Sequence, residues 1–222
     1  MTKGATVLTE LLAEVGVRWV FGIPSGPWCP FMEAMRTGEV EFVLVSNEAT
    51  AGFMADVCGR ITGKPGACYG TFGPGATNLT TGVGCAYLDH SPLLAFTTEA
   101  RDAMRQRTLQ MWIDHQALFK PLTKWTTTLR PHNLRQDFAR AVQVALSEVP
   151  GPVHLGLPED LGDEDIPAGA ITIPELLRPP LPERQQMETI RNLLNNARKP
   201  LLAVVKDADA VFRQAQSIPR LP

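Results

Sequence analysis

Apolar positions recur along this chain with two different periods, and the switches between them mark out helices and strands. Residues 4–15 place Val7, Leu8, Leu11, Leu12 and Val15 at helical spacing, with Gly16 positioned to stop the helix. The short β-rich run 17–21 ends at Gly22 and Pro24 and predicts a strand; loop 24–28 and an amphipathic segment, 31–35, follow. A second strand is predicted over 41–45, and it delivers the chain directly to Ser46, Asn47 and Glu48. Residues 49–62 have a helical pattern that Gly63-Lys64-Pro65-Gly66 breaks. Residues 67–71 predict a strand, 72–75 a tight turn, 76–88 a helix and 92–97 a fourth strand. A helix over 133–148 and a fifth strand over 152–157 complete the pattern. Short apolar strands alternating with helices predict an α/β fold, an open parallel sheet with helices on both faces.

The pattern then changes. Residues 166–184 contain Pro167, Pro174, Pro179, Pro180 and Pro182, which suits an extended linker. Beyond it, 183–196 is helical and 201–205 strand-like, the opening of a second α/β unit too short to hold a core of its own. The predicted organisation is a domain over 1–165, a linker over 166–184 and an incomplete unit over 185–222.

Composition narrows the function classes. Hydrophobic residues make up 44% and charged residues 20% of the chain, as in ordinary globular proteins. A net charge of -2 offers no electrostatic reason to expect nucleic acid or an anionic membrane as partner. No apolar run reaches the ~20 residues of a membrane span, and Met1-Thr2-Lys3-Gly4 does not open a signal-peptide core, so a cytoplasmic location is expected. Cys29, Cys58, Cys68 and Cys85 form no Cys-x-x-Cys pair and have no histidines at zinc spacing; they are expected as reduced, packed thiols, and no residue is assigned to a metal.

Three places could carry chemistry. The turn Gly70-Thr71-Phe72-Gly73-Pro74-Gly75-Ala76-Thr77-Asn78 leaves a strand and opens a helix, where free backbone N–H groups can receive polar ligand groups. It lacks the Lys-Ser/Thr of a Walker loop, and Asn78 stands where the dinucleotide fingerprint has its third glycine. A tight turn that merely needs glycines is the competing reading. Glu48 follows a strand and precedes a helix, at the carboxyl end where open sheets bind ligands; it could equally be a first-turn glutamate facing the helix dipole. Phe21-Gly22-Ile23-Pro24-Ser25-Gly26 ends a strand, and on local grounds it is a terminator. All three fall at one edge of the predicted sheet, which favours a shared pocket.

In this order and spacing the three elements resemble the N-terminal, pyrimidine-binding domain of thiamine diphosphate-dependent decarboxylases and carboligases of the acetolactate synthase and benzaldehyde lyase type. The matching stretches are FGIPSG, the run from Asn47 to Thr97, IDHQALFKPLTKW (113–125) and GPVHLGLPEDL (151–161). The resemblance implies that Glu48 contacts N1′ of the cofactor aminopyrimidine and favours the imino tautomer that takes a proton from the thiazolium. It implies that Pro24, Gly26, Thr71, Gly73, Pro74, Gly75 and Asn78 line the cofactor site. Gln110 and Trp112 lie in a region that often faces substrate in related carboligases, although surface or packing roles serve them equally.

The resemblance further implies a small 2-oxo acid or aldehyde substrate and a cofactor held between two chains, in a homodimer or with a complementary C-terminal domain. Two departures qualify it. Acetolactate synthases usually follow this strand with Gly-Gln, where this chain has Thr98-Glu99. No Gly-Asp-Gly with a downstream Asn-Asn is present, the segment that holds magnesium and diphosphate in the family's C-terminal domain. The expectation is a fragment or one part of a split enzyme, binding the pyrimidine half alone and inactive by itself. A flavin, carried by some relatives in the central domain, has no support here. The alternative is an interaction module that retains the fold for dimerisation.

Overall fold

In the computed structural model, residues 1–101, 104, 111–177 and 182–199 are described. The chain divides into two units, Met1–Arg178 and Pro179–Pro222. In the first, strands β1 (Thr2–Lys3) to β8 (Asp165–Ile166) alternate with helices α1 (Gly4–Glu14) to α6 (Leu134–Leu146). A six-stranded sheet has the order β3-β2-β4-β5-β7-β6, and every pairing in it is parallel. Its strands are β2 (Trp19–Gly22), β3 (Glu41–Leu44), β4 (Gly66–Gly70), β5 (Leu93–Glu99), β6 (Trp125–Thr128) and β7 (Pro152–Pro158). Strands β1 and β8 pair antiparallel as a separate clip, Thr2 opposite Ile166.

Alternation along each strand splits the core into two layers. On one face Val20, Tyr69, Leu94 and Phe96 pack against Leu8 and Leu12 of α1, α2 (Cys29–Thr37) and Phe138 of α6. On the other, Phe21, Cys68, Leu93 and Ala95 meet Ala51 and Ala55 of α3 (Glu48–Thr62), Leu79 and Val83 of α4 (Pro74–Leu88) and Phe119 of α5 (His115–Phe119). The expected open parallel sheet with helices on both faces is what the chain forms. Strand β6 was not among the five predicted strands. Its Trp-Thr-Thr-Thr sequence has no apolar alternation, because its hydroxyls meet buried polar partners rather than a hydrophobic face.

Segment 167–177 carries no helix or strand and runs back beside α6. Arg135 Nε donates to the Pro167 carbonyl at 3.2 Å, Gln143 Nε2 to the Glu175 carbonyl at 2.8 Å, and Leu177 N–H to Ser147 Oγ at 3.0 Å. Within the second unit, α7 (Arg184–Asn196) begins in a capping box between Glu183 and Gln186, and its side chains are exposed. The strand predicted over 201–205 lies outside the described residues.

Candidate functional site

Parallel pairing brings the carboxyl ends of β2, β3 and β4 to one edge, so the FGIPSG loop, Glu48 and the glycine turn are neighbours there. Local capping sets Glu48. Asn47 adopts extended backbone, and its side chain accepts the Ala49 N–H at 2.8 Å, so the helix starts at Glu48. Glu48 sits in the first helical turn, as the dipole reading expects, and its side chain is turned inward with 7% exposure. Oε2 accepts from Asn78 Nδ2 at 3.0 Å.

The second carboxylate oxygen lies against the glycine turn. A Cβ at Gly75 would stand 3.3 Å from Glu48 Oε1 and 2.9 Å from Thr71 Cγ2. At Gly73, φ is 48°, in the left-handed region that favours glycine, and a side chain there would meet the Met111 carbonyl. Pro74 opens α4 at a position that needs no N–H donor. Helices α3 and α4 approach at Gly52 and Gly82, whose missing side chains let the backbones touch. That close crossing holds Glu48 over Asn78.

The remaining predicted residues stand further out. Pro24 and Gly26 are exposed in the loop after β2. The loop is tied to the sheet by Ser25 Oγ to Tyr69 Oη, 2.5 Å, and Tyr69 Oη to Thr98 Oγ1, 2.6 Å. Burial pushes the Tyr69 phenol upward, partly offset by these hydrogen bonds. Trp28 of the same loop is buried, stacked on Tyr69 at 4.0 Å. Trp112, 44% exposed, lines a cavity of about 110 Å³ together with Phe72, Glu99, Ile113, Asp114 and Gln116. Gln110 lies outside the described residues.

Sequence reasoning missed a buried polar chain beneath the turn. Gly73 N–H donates to His115 Nε2 at 3.3 Å, and His115 Nδ1 lies 2.9 Å from Thr97 Oγ1. Thr97 Oγ1 lies 2.7 Å from His154 Nε2, and His154 Nδ1 lies 2.7 Å from Thr126 Oγ1. Burial lowers the His115 pKa to about 4 despite the charge of Asp114. Burial, then the His115 ring, holds His154 well below the ordinary imidazole value. Glu99, His115 and His154 bring one possible ligand atom each within 4.8 Å of one another, but both imidazoles already use both ring nitrogens in hydrogen bonds. The available signal was His154 inside the apolar run Pro152-Val153-Leu155, since a polar ring in a buried strand needs a partner.

Comparison with known proteins bears on what this edge binds. Residues 2–118 match the model of the thiamine pyrophosphate enzyme N-terminal TPP-binding domain. The chain belongs to the thiamine pyrophosphate enzyme family. Among its relatives, the probable acetolactate synthase large subunit of Methanocaldococcus jannaschii is 36% identical over 173 residues, 78% of this chain and 29% of that protein. The acetolactate synthase of Bacillus subtilis is 32% identical over 163 residues, 73% of this chain and 29% of that protein. The probable 2-ketoarginine decarboxylase of Pseudomonas aeruginosa is 38% identical over 158 residues, 69% of this chain and 28% of that protein. The chain thus spans under a third of these relatives' lengths. As a member of this thiamine pyrophosphate family it carries an acetolactate synthase-like TPP-binding domain, which implies thiamine diphosphate as cofactor. Among the described residues, no helix is long and apolar enough to cross a membrane.

The donors and acceptors at this edge fit a polar, hydrogen-bonding part of that cofactor. Glu48 is a buried carboxylate with one oxygen held by Asn78 and the other packed beside Gly75, where a Cβ would crowd it and Thr71.

Proposed function

We propose that this chain supplies the pyrimidine-binding half of a thiamine diphosphate site for decarboxylation or carboligation of a small 2-oxo acid or aldehyde, with Glu48 as the activating acid. The supporting observation is the Glu48 carboxylate, buried, held by Asn78 and packed beside Gly75 at the helix-opening turn. When bound, thiamine diphosphate supplies the carbon nucleophile that attacks the substrate carbonyl. Glu48 would hold a proton at the pyrimidine N1′, and Asn78 would keep its carboxylate in the plane that this requires. Thr71, Gly73, Pro74 and Gly75 would line the cofactor beside that proton, and Pro24 and Gly26 would border the mouth. The groups that hold magnesium and diphosphate are expected from a complementary C-terminal domain.

A partner chain is part of this reading. Phe53, Val57 and Ile61 recur at four-residue spacing on the outer face of α3 and are 42%, 43% and 79% exposed. Tyr87 and Leu88 of the adjoining α4 are 41% and 77% exposed. An apolar surface built on the two helices that carry Glu48 and Asn78 suits a second copy closing the site.

The test is complementation with a relative's C-terminal domain, scored by thiamine diphosphate-dependent turnover of a 2-oxo acid. Glu48→Gln keeps the side-chain size and removes the acid; turnover should fall by roughly 10²–10⁴-fold with the far-UV spectrum unchanged. Undiminished turnover in that variant would refute the role of Glu48. A stable complex that never turns over substrate would favour the dimerisation module instead.

A further inference from the structure

We propose that His115 is a positioning residue for the glycine turn: its Nε2 holds the Gly73 N–H, and its tautomer is imposed by a one-way chain of hydrogen bonds ending on the Glu99 carboxylate. The importance of this for catalysis rests on the turn being the cofactor wall; the hydrogen-bond chain itself does not.

The direction follows from which groups can only donate and which can only accept. An amide N–H donates, so His115 Nε2 must offer its lone pair to Gly73. Burial keeps the ring neutral, so its single proton is on Nδ1 and goes to Thr97 Oγ1. The Thr97 hydroxyl then donates to His154 Nε2, which places the His154 proton on Nδ1, facing Thr126 Oγ1. Thr126 donates to Gln116 Oε1 at 2.6 Å, and Gln116 Nε2 donates to Glu99 Oε1 at 2.5 Å. Thr128 Oγ1 donates to Glu99 Oε2 at 2.7 Å. Each proton is used in the same direction, and the chain ends on the one member that has only acceptors.

This gives the Thr98-Glu99 departure a physical role. A carboxylate at 99 receives donors on both oxygens, which a carboxamide in its place could not do. The strand alternation sends Thr97 and Glu99 to this network and Thr98 to Tyr69 on the opposite face. Room for the carboxylate comes from Gly156 on β7, because a side chain there would collide with the Glu99 carboxyl. Hydrogen bonds aligned in a buried chain polarise one another, so the Gly73 end is held more firmly than an isolated 3.3 Å contact would be.

The test is nitrogen-15 NMR of the full chain with labelled histidine and glycine. His115 and His154 should both show the Nδ1–H tautomer, and the Gly73 amide should exchange slowly. In His115→Phe, Gly73 exchange should accelerate about tenfold, the effect of losing one buried hydrogen bond. His115→Gln, which returns an acceptor near the Nε2 position, should recover most of that protection. An Nε2–H tautomer at wild-type His115, read without any variant, overturns the proposal. So does a Gly73 amide whose exchange ignores both substitutions. Titration with thiamine diphosphate in the presence of a complementary C-terminal domain is a separate arm. A Gly73 resonance that never responds to it would count against the cofactor reading while leaving the hydrogen-bond chain intact.

Discussion

The two buried histidines predict a loss of stability in mild acid. In the folded protein the His115 pKa lies at about 4, against 6.5 for an exposed imidazole, because burial disfavours the charged ring. A lowered folded pKa means that the unfolded chain binds the proton more readily. The stabilising contribution is therefore complete above pH ~6.5 and is lost as pH falls through the window down to ~4. Each pH unit inside that window costs ~1.4 kcal/mol per histidine, so going from about pH 7 to about pH 5 removes about 2 kcal/mol through His115 alone. His154 shifts in the same direction and adds to the loss. Urea unfolding followed by tryptophan fluorescence at both pH values measures it, with a midpoint decrease of roughly 1 M expected from ordinary slopes. His115→Gln cannot titrate, so it should be less stable at neutral pH but show a clearly flatter pH dependence. A wild-type midpoint unchanged between the two pH values, or a variant with the full wild-type dependence, would refute the assignment of buried neutral imidazoles.

Three further perturbations test the packing of the site. Gly82→Ala places a Cβ 2.5 Å from Gly52 Cα, forcing α3 and α4 apart; a loss of about 1–3 kcal/mol in thermal or urea unfolding is expected. Gly75→Ala, with its Cβ 2.9 Å from Thr71 Cγ2 and 3.3 Å from Glu48 Oε1, should weaken thiamine diphosphate binding in the complemented site about tenfold or more, read by calorimetry, as the added methyl displaces the Glu48 carboxylate. Thiol labelling should order the cysteines by access: exposed Cys29 first, half-buried Cys58 and Cys85 more slowly, and Cys68 only on unfolding, since burial drives its thiol far above the usual range. Rapid labelling of Cys68 in the native chain would contradict the core described above.

The sequence by itself determined the repeating helix–strand order and the place of Glu48 and the glycine turn within it. Those features are local. The apolar periods at Leu8, Leu11 and Leu12 and the helix break at Gly63, left-handed at φ 65°, act over a few residues, so they can be recognised without knowing what packs above them. The motifs from Asn47 to Asn78 likewise lie within one stretch of chain, and the family could be recognised from them.

Only the tertiary structure decided how these pieces meet. Gly73, Thr97, His115, Thr126 and His154 become one hydrogen-bonded chain because β4, β5, β7 and β6 lie side by side in an order that differs from their order in sequence. For the same reason Trp125–Thr128 escaped prediction as a strand: its threonines face polar partners supplied from distant parts of the chain. The approach of Gly52 to Gly82, which sets Glu48 over Asn78, is also a contact between two helices. Local sequence carries the period of an element, whereas burial of a polar group depends on partners that arrive only when the sheet closes.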